Sequence, residues 1–221
     1  DHVFVQESVK AEWVECCREQ LAKAYGVTLG EQKSGSHLAH IVNARHTTRI
    51  KALLDDAKDN GARVITGGEL NQDDCFVQPT LLDQVPHNAR IMDEEIFGPL
   101  LPVISYSNLD EVITRINEGH KPLALYIYSR NNANIDKVLR KTVSGGVCVN
   151  HALIQFLHGN LPFGGVNNSG MGNAHGHYGF KAFSHERAVV RTQFSFAATL
   201  FKVGEVPLLV RKAIKFAFKI L

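Results

Sequence analysis

The chain reads as an α/β protein built on a parallel sheet. Three observations carry that prediction. Between Leu101 and Val149, short apolar runs alternate with amphipathic stretches in the order strand, helix, strand, helix, strand. That order closes as parallel strands joined by right-handed crossovers. Of 221 residues, 44% are hydrophobic and 21% charged, with 18 Gly and 7 Pro. This is a globular composition rather than a disordered, collagen-like or membrane-spanning one. Internal repeats and low-complexity tracts are absent, so the length suits one large domain or two small ones.

The elements follow in order. His2–Gln6 alternates as a half-buried strand does. From Ser8 to Tyr25 the period becomes helical, with Val14, Cys17, Leu21 and Tyr25 on one face and Gly26 as a stop. Glu31 to His40 is polar and reads as a loop. A second helix spans about Asn43 to Asn60, burying Ile50, Leu53, Leu54 and Ala57, with Gly61 beyond its end. Arg63–Thr66 is a short strand, and Phe76–Leu82 an extended segment that Pro79 marks as edge or irregular. Leu101–Tyr106 is a strand, and Ser107 to Asp110 resembles a capping box opening a helix through Val112, Ile113 and Ile116. Strand Leu123–Tyr128, helix Asn134–Thr142 and strand Gly146–Val149 complete the alternation. Asn150 to Gly179 is a long Gly-, Asn- and His-rich loop, the kind that carries function. Phe180–Thr192 is strand-like again. Pro207–Leu221 sets Val210, Ile214, Ala217 and Leu221 opposite Arg211, Lys212, Lys215 and Lys219. It is too short and too charged to span a bilayer.

Charge narrows the partners. Twenty-four basic and 22 acidic residues leave a net charge of +2, which gives no general attraction to nucleic acid. Four cysteines do not make a disulfide scaffold, and a reducing, cytoplasmic compartment is expected. The first residue is Asp1 and a strand is already under way there, so the chain is expected to be a piece of something longer.

Several constellations compete for chemistry. Gly170–Gly176 carries one residue too many for G-x-G-x-x-G and lacks a strand before it, so tight-turn glycine explains it better than a dinucleotide fingerprint. Eleven histidines include His175-Gly-His177 and the set His37, His40 and His46, but no Cys or carboxylate stands at ligand spacing. No metal site is expected. Cys148 has Asn150 and His151 close in sequence, yet Val147-Cys148-Val149 reads as a buried strand that points the thiol away from both valines. The run Met92 to Pro99 places three acids beside Ile96 and Phe97 before a Gly-Pro turn. A carboxylate there accepts hydroxyl hydrogens from a vicinal diol such as ribose, and an aromatic can face a flat heterocycle. An acidic turn before a strand is the plainer reading.

Ordered motifs then identify a family. Glu94-Glu-Ile-Phe-Gly-Pro99, Lys121-Pro-Leu-Ala-Leu125, Ser144-Gly-Gly-Val147 with Asn150, and Leu161-Pro-Phe-Gly-Gly-Val166 occur in sequence. Asn168-Ser-Gly-Met-Gly172, His175-Gly176 and Phe183-Ser-His185 complete the series. Together they resemble the C-terminal half of an aldehyde dehydrogenase, in the class 3 branch of fatty, aromatic and coniferyl aldehyde enzymes. The resemblance runs from Asp1 to about Arg191. It implies oxidation of an aldehyde with NAD or NADP: a Cys thiolate attacks the carbonyl, hydride leaves the thiohemiacetal, and a Glu-activated water hydrolyses the thioester. It also implies that Glu95 binds the nicotinamide ribose hydroxyls, that Phe97 packs beside that ring, and that Phe163 lines the aldehyde tunnel with His175 near its mouth.

The departures limit this chain. By the same resemblance the nucleophilic Cys sits just upstream of Asp1, with the base Glu, the oxyanion Asn and the cofactor domain further upstream. No catalytic residue is therefore expected among the 221. Asn167 stands where Gly is common, and Asn173-Ala174 replaces an aromatic before His175. Residues 1–179 are expected to be the C-terminal part of the catalytic domain, incomplete at its N-terminus. Residues 180–194 would be an oligomerisation strand of a homodimer, and 195–221 a basic amphipathic tail. That tail suits an anionic membrane surface, as in some relatives, and equally the enzyme's own body or a dimer partner. The alternative is a natural truncated interaction protein of the same fold.

The purified 221-residue chain is expected to show no aldehyde oxidation. Aldehyde-dependent NADH formation that Cys148→Ala abolishes would overturn this and make Cys148 the nucleophile.

Overall fold

The computed structural model describes residues 1–35, 37–191 and 207–217. These form two units. The first comprises Asp1–His158 with Phe163–Gly172, and the second Gly159–Pro162 with Asn173–Leu221.

The first unit is organised around three strands: β1 (Val3–Gln6), β5 (Thr80–Asp83) and β6 (Leu100–Tyr106). Strand β6 runs parallel to both others, with Val3 opposite Val103 and Thr80 opposite Leu100. The far side of β5 is joined antiparallel by β2 (Arg63–Thr66), so the sheet order is β1-β6-β5-β2. Strands β3 (Leu70–Asn71) and β4 (Phe76–Val77) make a separate antiparallel pair. Pro79 divides the extended run 76–82 between these two sheets, and the part after it is an inner strand rather than an edge.

The predicted sheet is partitioned. Strands β7 (Ala124–Ile127) and β8 (Gly146–Val149) pair in parallel, Tyr126 opposite Cys148, but as a two-stranded sheet of their own. Both edges of β6 are already hydrogen-bonded to β1 and β5, so β7 cannot pair with β6. The local alternation was therefore correctly read as α/β, while the pairing is decided by strands far away in sequence.

Helix α3 (Ala44–Asp59) supplies the main apolar face. Asn43 caps it by accepting the His46 N–H at 3.0 Å. Thr47, Ile50, Leu53, Leu54 and Ala57 recur at three- and four-residue intervals and are all buried. The four apolar residues of that face join Val77, Leu82, Ile91, Ile96 and Leu100 in one core. Helix α1 (Glu7–Tyr25) follows β1 and half-buries Val14, Cys17, Leu21 and Tyr25; none of its residues is fully buried.

The expected loop from Glu31 begins instead in a short helix, α2 (Leu29–Ser34). Thr28 Oγ1 accepts the Glu31 N–H at 3.2 Å, while Glu31 Oε2 accepts the Thr28 N–H at 2.9 Å. Helix α4 (Leu109–Glu118) starts at Asn108, whose side chain accepts the Asp110 N–H at 3.0 Å. Helix α5 (Asn132–Lys141) crosses from β7 to β8 and buries Ile135 and Val138. The long loop after Asn150 contains α6 (Ile154–Leu157) and a 3₁₀ turn at Asn167–Ser169.

In the second unit, α7 (Gly176–Ala182) is followed by an ion pair of Lys181 with Glu186 at 3.0 Å. The strand expected over 180–194 is thus helical as far as Ala182, and no strand occurs among its described residues from Phe183 to Arg191. An extended segment becomes a strand only where another hydrogen-bonds to it, and no described residue does so. Residues 192–194 lie outside the described residues, as do 195–206 and 218–221 of the tail. The described part of the tail contains a helix over Leu208–Ala217, on which Leu208 and Leu209 are exposed. Among the described residues no helix is long and apolar enough to cross a membrane.

At the end of β5, Asp83 is buried yet ionised. Lys10 from α1 and Arg63 from β2 both pair with it, and the Gln84 N–H donates to it at 2.8 Å. Burial alone would raise the carboxyl's pKa; the hydrogen bonds and the Lys10 charge outweigh it and hold the group below its ordinary 3.8. The stability this contributes is complete above the unfolded value and is lost as pH falls through the lower native one. Asp83→Asn is expected to cost about 1–3 kcal/mol at pH 7. In urea titrations the gap from wild type should narrow as pH falls below about 4. A gap independent of pH would contradict the ion-pair account.

Candidate functional site

The turn that leads into β6 holds the two residues singled out for the cofactor. Glu94 and Glu95 are adjacent, but their surroundings differ. Glu94 accepts from Arg90 Nη2 at 2.6 Å and Nε at 3.0 Å, and Arg49 Nη1 lies 4.0 Å from its other oxygen. The Glu95 carboxylate is exposed, and among the described residues no hydrogen bond or ion pair engages it.

Phe97 is 76% exposed and has φ +47°. A left-handed conformation at a bulky residue costs about 1–3 kcal/mol, and an exposed ring recovers none of it through burial. The strain is maintained by what surrounds the turn. Ile96, between the two, is 1% exposed and belongs to the core. Its N–H donates to Asp1 Oδ1 at 2.9 Å, and its carbonyl accepts from Arg49 Nη2. The Glu95 carbonyl accepts from Arg49 Nη1 at 3.0 Å. Gly98 then rests on Ile50 of α3: a Cβ at position 98 would stand 2.6 Å from Ile50 Cδ1. An apolar cleft of about 380 Å³, lined by Asp1, Tyr25, Leu38, Ile96, Gly98 and Leu101 among others, runs beside this turn.

Phe163 lies in a different loop of the same unit. It is half-buried and meets Phe156 of α6 edge to face, with ring centroids 5.0 Å apart and planes at 85°. Gly165, two residues on, is forced by close packing, since a Cβ there would come within 2.0 Å of the Ser169 carbonyl oxygen. Asn167 has φ +55°, so where Gly is common this chain uses a residue that tolerates the same left-handed conformation.

His175 belongs to the second unit, where it precedes α7 with φ +71°. A depression of about 440 Å³ there is lined by Asn173, His177, Tyr178, Lys181 and Ala182, so His177 rather than His175 faces it. Cys148 is buried in β8 at 8% exposure, and the nearby His151 directs Nδ1 to the Ala152 carbonyl at 2.6 Å. Among the described residues no three His, Cys, Asp or Glu side chains gather to hold a metal ion.

The residues at the turn fit a nicotinamide cofactor's ribose. Among the described residues nothing engages the Glu95 carboxylate, and two residues further along the same turn Phe97 is strained and left in solvent. Inspection of the sequence missed Arg49, Asp1 and Phe156. The three backbone contacts of Arg49 and Asp1 span 46, 47 and 95 residues, and no local pattern signals them. Phe156 was legible only as an apolar residue in an irregular loop.

The fold is that of the aldehyde dehydrogenase class. The aldehyde dehydrogenase family model matches residues 1–189, and the chain belongs to that family. The mouse aldehyde dehydrogenase family 3 member A2 is 41% identical over 187 residues, covering 85% of this chain and 37% of that protein. The 4,4'-diaponeurosporen-aldehyde dehydrogenase of Staphylococcus aureus is 38% identical over 190 residues, covering 86% and 40%. A rat relative named as dimeric and NADP-preferring is 38% identical over 188 residues, covering 85% and 40%. These matches agree with the class 3 resemblance. Among solved structures, substrate-bound Staphylococcus aureus AldH superposes with a TM-score of 0.84 at 34% identity, covering 99% of this chain and 46% of that one. The chain thus spans 37–40% of the length of these curated relatives.

Gly98→Ala is expected to cost about 1–3 kcal/mol through overpacking against Ile50. In an Ile50→Val background, which lacks Cδ1, the same change should cost less. Urea denaturation of the four proteins in this cycle measures the coupling; strictly additive effects would mean the seat is not tight.

Proposed function

We propose that these 221 residues are the part of an NAD(P)-dependent aldehyde dehydrogenase that grips the nicotinamide ribose and lines the aldehyde tunnel. The reaction is oxidation of an aldehyde to a carboxylic acid. The observation that carries this reading is the pairing of an unengaged Glu95 carboxylate with an exposed, strained Phe97 on one clamped turn. When bound, NAD or NADP supplies the hydride acceptor.

The chain's own residues divide the remaining work. The Glu95 carboxylate accepts hydrogen bonds from two neighbouring hydroxyls. Phe97 offers an aromatic face that limits how the adjoining flat ring can lie. Phe163, braced by Phe156, forms an apolar wall that admits a hydrophobic aldehyde and sheds water.

The thiolate nucleophile and the base that activates water lie outside these residues, so the isolated chain is inactive. Cys148 is unsuited to the task, being buried in a strand, while the nearby His151 directs Nδ1 to the Ala152 carbonyl. Residues 180–194 serve homodimer assembly, and the basic tail from 195 meets an anionic membrane surface or protein in the cytoplasm.

In the full-length enzyme that carries this segment, Glu95→Gln keeps the size of the side chain but removes its charge. Loss of two charge-assisted hydrogen bonds at about 1.5–3 kcal/mol each is expected to raise the Kd for NADH, or its NADPH counterpart, by at least about ten-fold. The KM for aldehyde should change little. Cofactor affinity equal to wild type would remove Glu95 from the site.

A further inference from the structure

Residues 95–97 belong to no helix or strand, so their peptide groups have no ladder to satisfy them. Buried backbone donors and acceptors nevertheless need partners. Here those partners are side chains. Arg49 donates through Nη1 to the Glu95 carbonyl at 3.0 Å and through Nη2 to the Ile96 carbonyl. Asp1 accepts the Ile96 N–H at 2.9 Å. Three consecutive polar groups of the turn are thus held from two elements, α3 and the segment entering β1.

We propose that Arg49 and Asp1 are positioning residues for the cofactor turn, setting the pose of Glu95 and Phe97 without touching the cofactor. This rests on the reading of Glu95 and Phe97 given above. Geometry explains the choice of residues. A guanidinium presents two donors in a rigid plane, which spans successive carbonyls; an ammonium is a single point and cannot hold both in one orientation. Arg49 also adjoins Ile50, so one turn of α3 fixes the turn by hydrogen bonding at 95–96 and by packing at Gly98. Release of either hold lets the left-handed Phe97 relax, and the carboxylate two residues earlier moves with it. The binding surface is prepared before any ligand arrives, which reduces the ordering cost of binding.

The test compares Arg49→Gln, Arg49→Lys, Asp1→Ala and Asp1→Asn with wild type and with Glu95→Gln. Two readouts are taken: amide hydrogen exchange at Ile96 and Phe97 without cofactor, and equilibrium binding of NADH or NADPH by fluorescence in the full-length enzyme. Asp1→Ala should accelerate Ile96 exchange by about ten-fold or more, the equivalent of one lost hydrogen bond to a charged group. Asp1→Asn keeps an acceptor oxygen and should restore most of the protection. Arg49→Gln and Asp1→Ala should weaken reduced-cofactor binding by about ten-fold while leaving the aldehyde KM unchanged, with Arg49→Lys intermediate. A merely structural role would lower the folded fraction and kcat together and leave the cofactor Kd of the folded enzyme at its wild-type value. That result overturns the inference. Should Arg49→Gln fail to fold, Arg49→Lys and Asp1→Ala decide the matter. If Glu95→Gln weakens the cofactor and the clamp variants do not, the inference alone fails. If Glu95→Gln has no effect, the functional reading fails, and unaltered Ile96 exchange in Asp1→Ala would then dispose of the clamp as well.

Discussion

Gly98 sits on Ile50 with no room for a methyl group between them, and much of the first unit depends on that seat. Ile50 is fully buried at the centre of the apolar face of α3. The residue resting on it ends the acidic turn, and β6 begins two residues later. Close contact at this point sets the distance between α3 and the start of the central strand. A position one residue earlier on the same helix carries the guanidinium that holds the turn's carbonyls. Packing and hydrogen bonding therefore act from a single helical turn, and neither could be altered without disturbing the other.

The placement of β6 extends this constraint to the rest of the sheet. Its first residue, Leu100, lies opposite Thr80, and Val103 further along lies opposite Val3. A strand hydrogen-bonded on both edges is resistant to slippage, because one residue of slip would turn its buried side chains outward. The turn before it inherits that rigidity. The polar residues of the turn consequently separate into two classes: Glu94, consumed by Arg90 and Arg49, and Glu95, left with its carboxylate in solvent beside Phe97. A site on a loop gains precision when the supporting elements are rigid, and here they are a saturated strand and a buried helix.

Much of this was legible in the amino-acid sequence, for identifiable reasons. The face of α3 shows as a 3.6-residue period because its burial is nearly complete. The crossover from β7 through α5 to β8 shows because its elements are consecutive. The turn motif and the Pro-Phe-Gly-Gly loop are dense in residues with special backbone demands, and that density made the family resemblance visible. What was hidden depends on distance. The division into two sheets follows from β1 and β5 occupying the edges of β6, which no local pattern encodes. Helix α2 has only six residues and no apolar stripe, so only its Thr28–Glu31 capping pair could have signalled it. The strand-like run after Phe180 carries the right side chains but has no described partner, and alternation alone does not make a ladder. Arg49 and Asp1 are ordinary charged residues until the fold sets them against the turn.

The central claim is that the turn at Glu95 and Phe97 is the ribose-binding face of a nicotinamide site. The most direct measurement is a crystal structure of the full-length enzyme carrying this segment, in complex with its nicotinamide cofactor. The account predicts both Glu95 carboxylate oxygens within about 2.5–3.0 Å of the two hydroxyls of the nicotinamide-side ribose, and the Phe97 ring in van der Waals contact with that end of the cofactor. A nicotinamide ribose bound elsewhere, with the Glu95 carboxylate still in solvent, would contradict it.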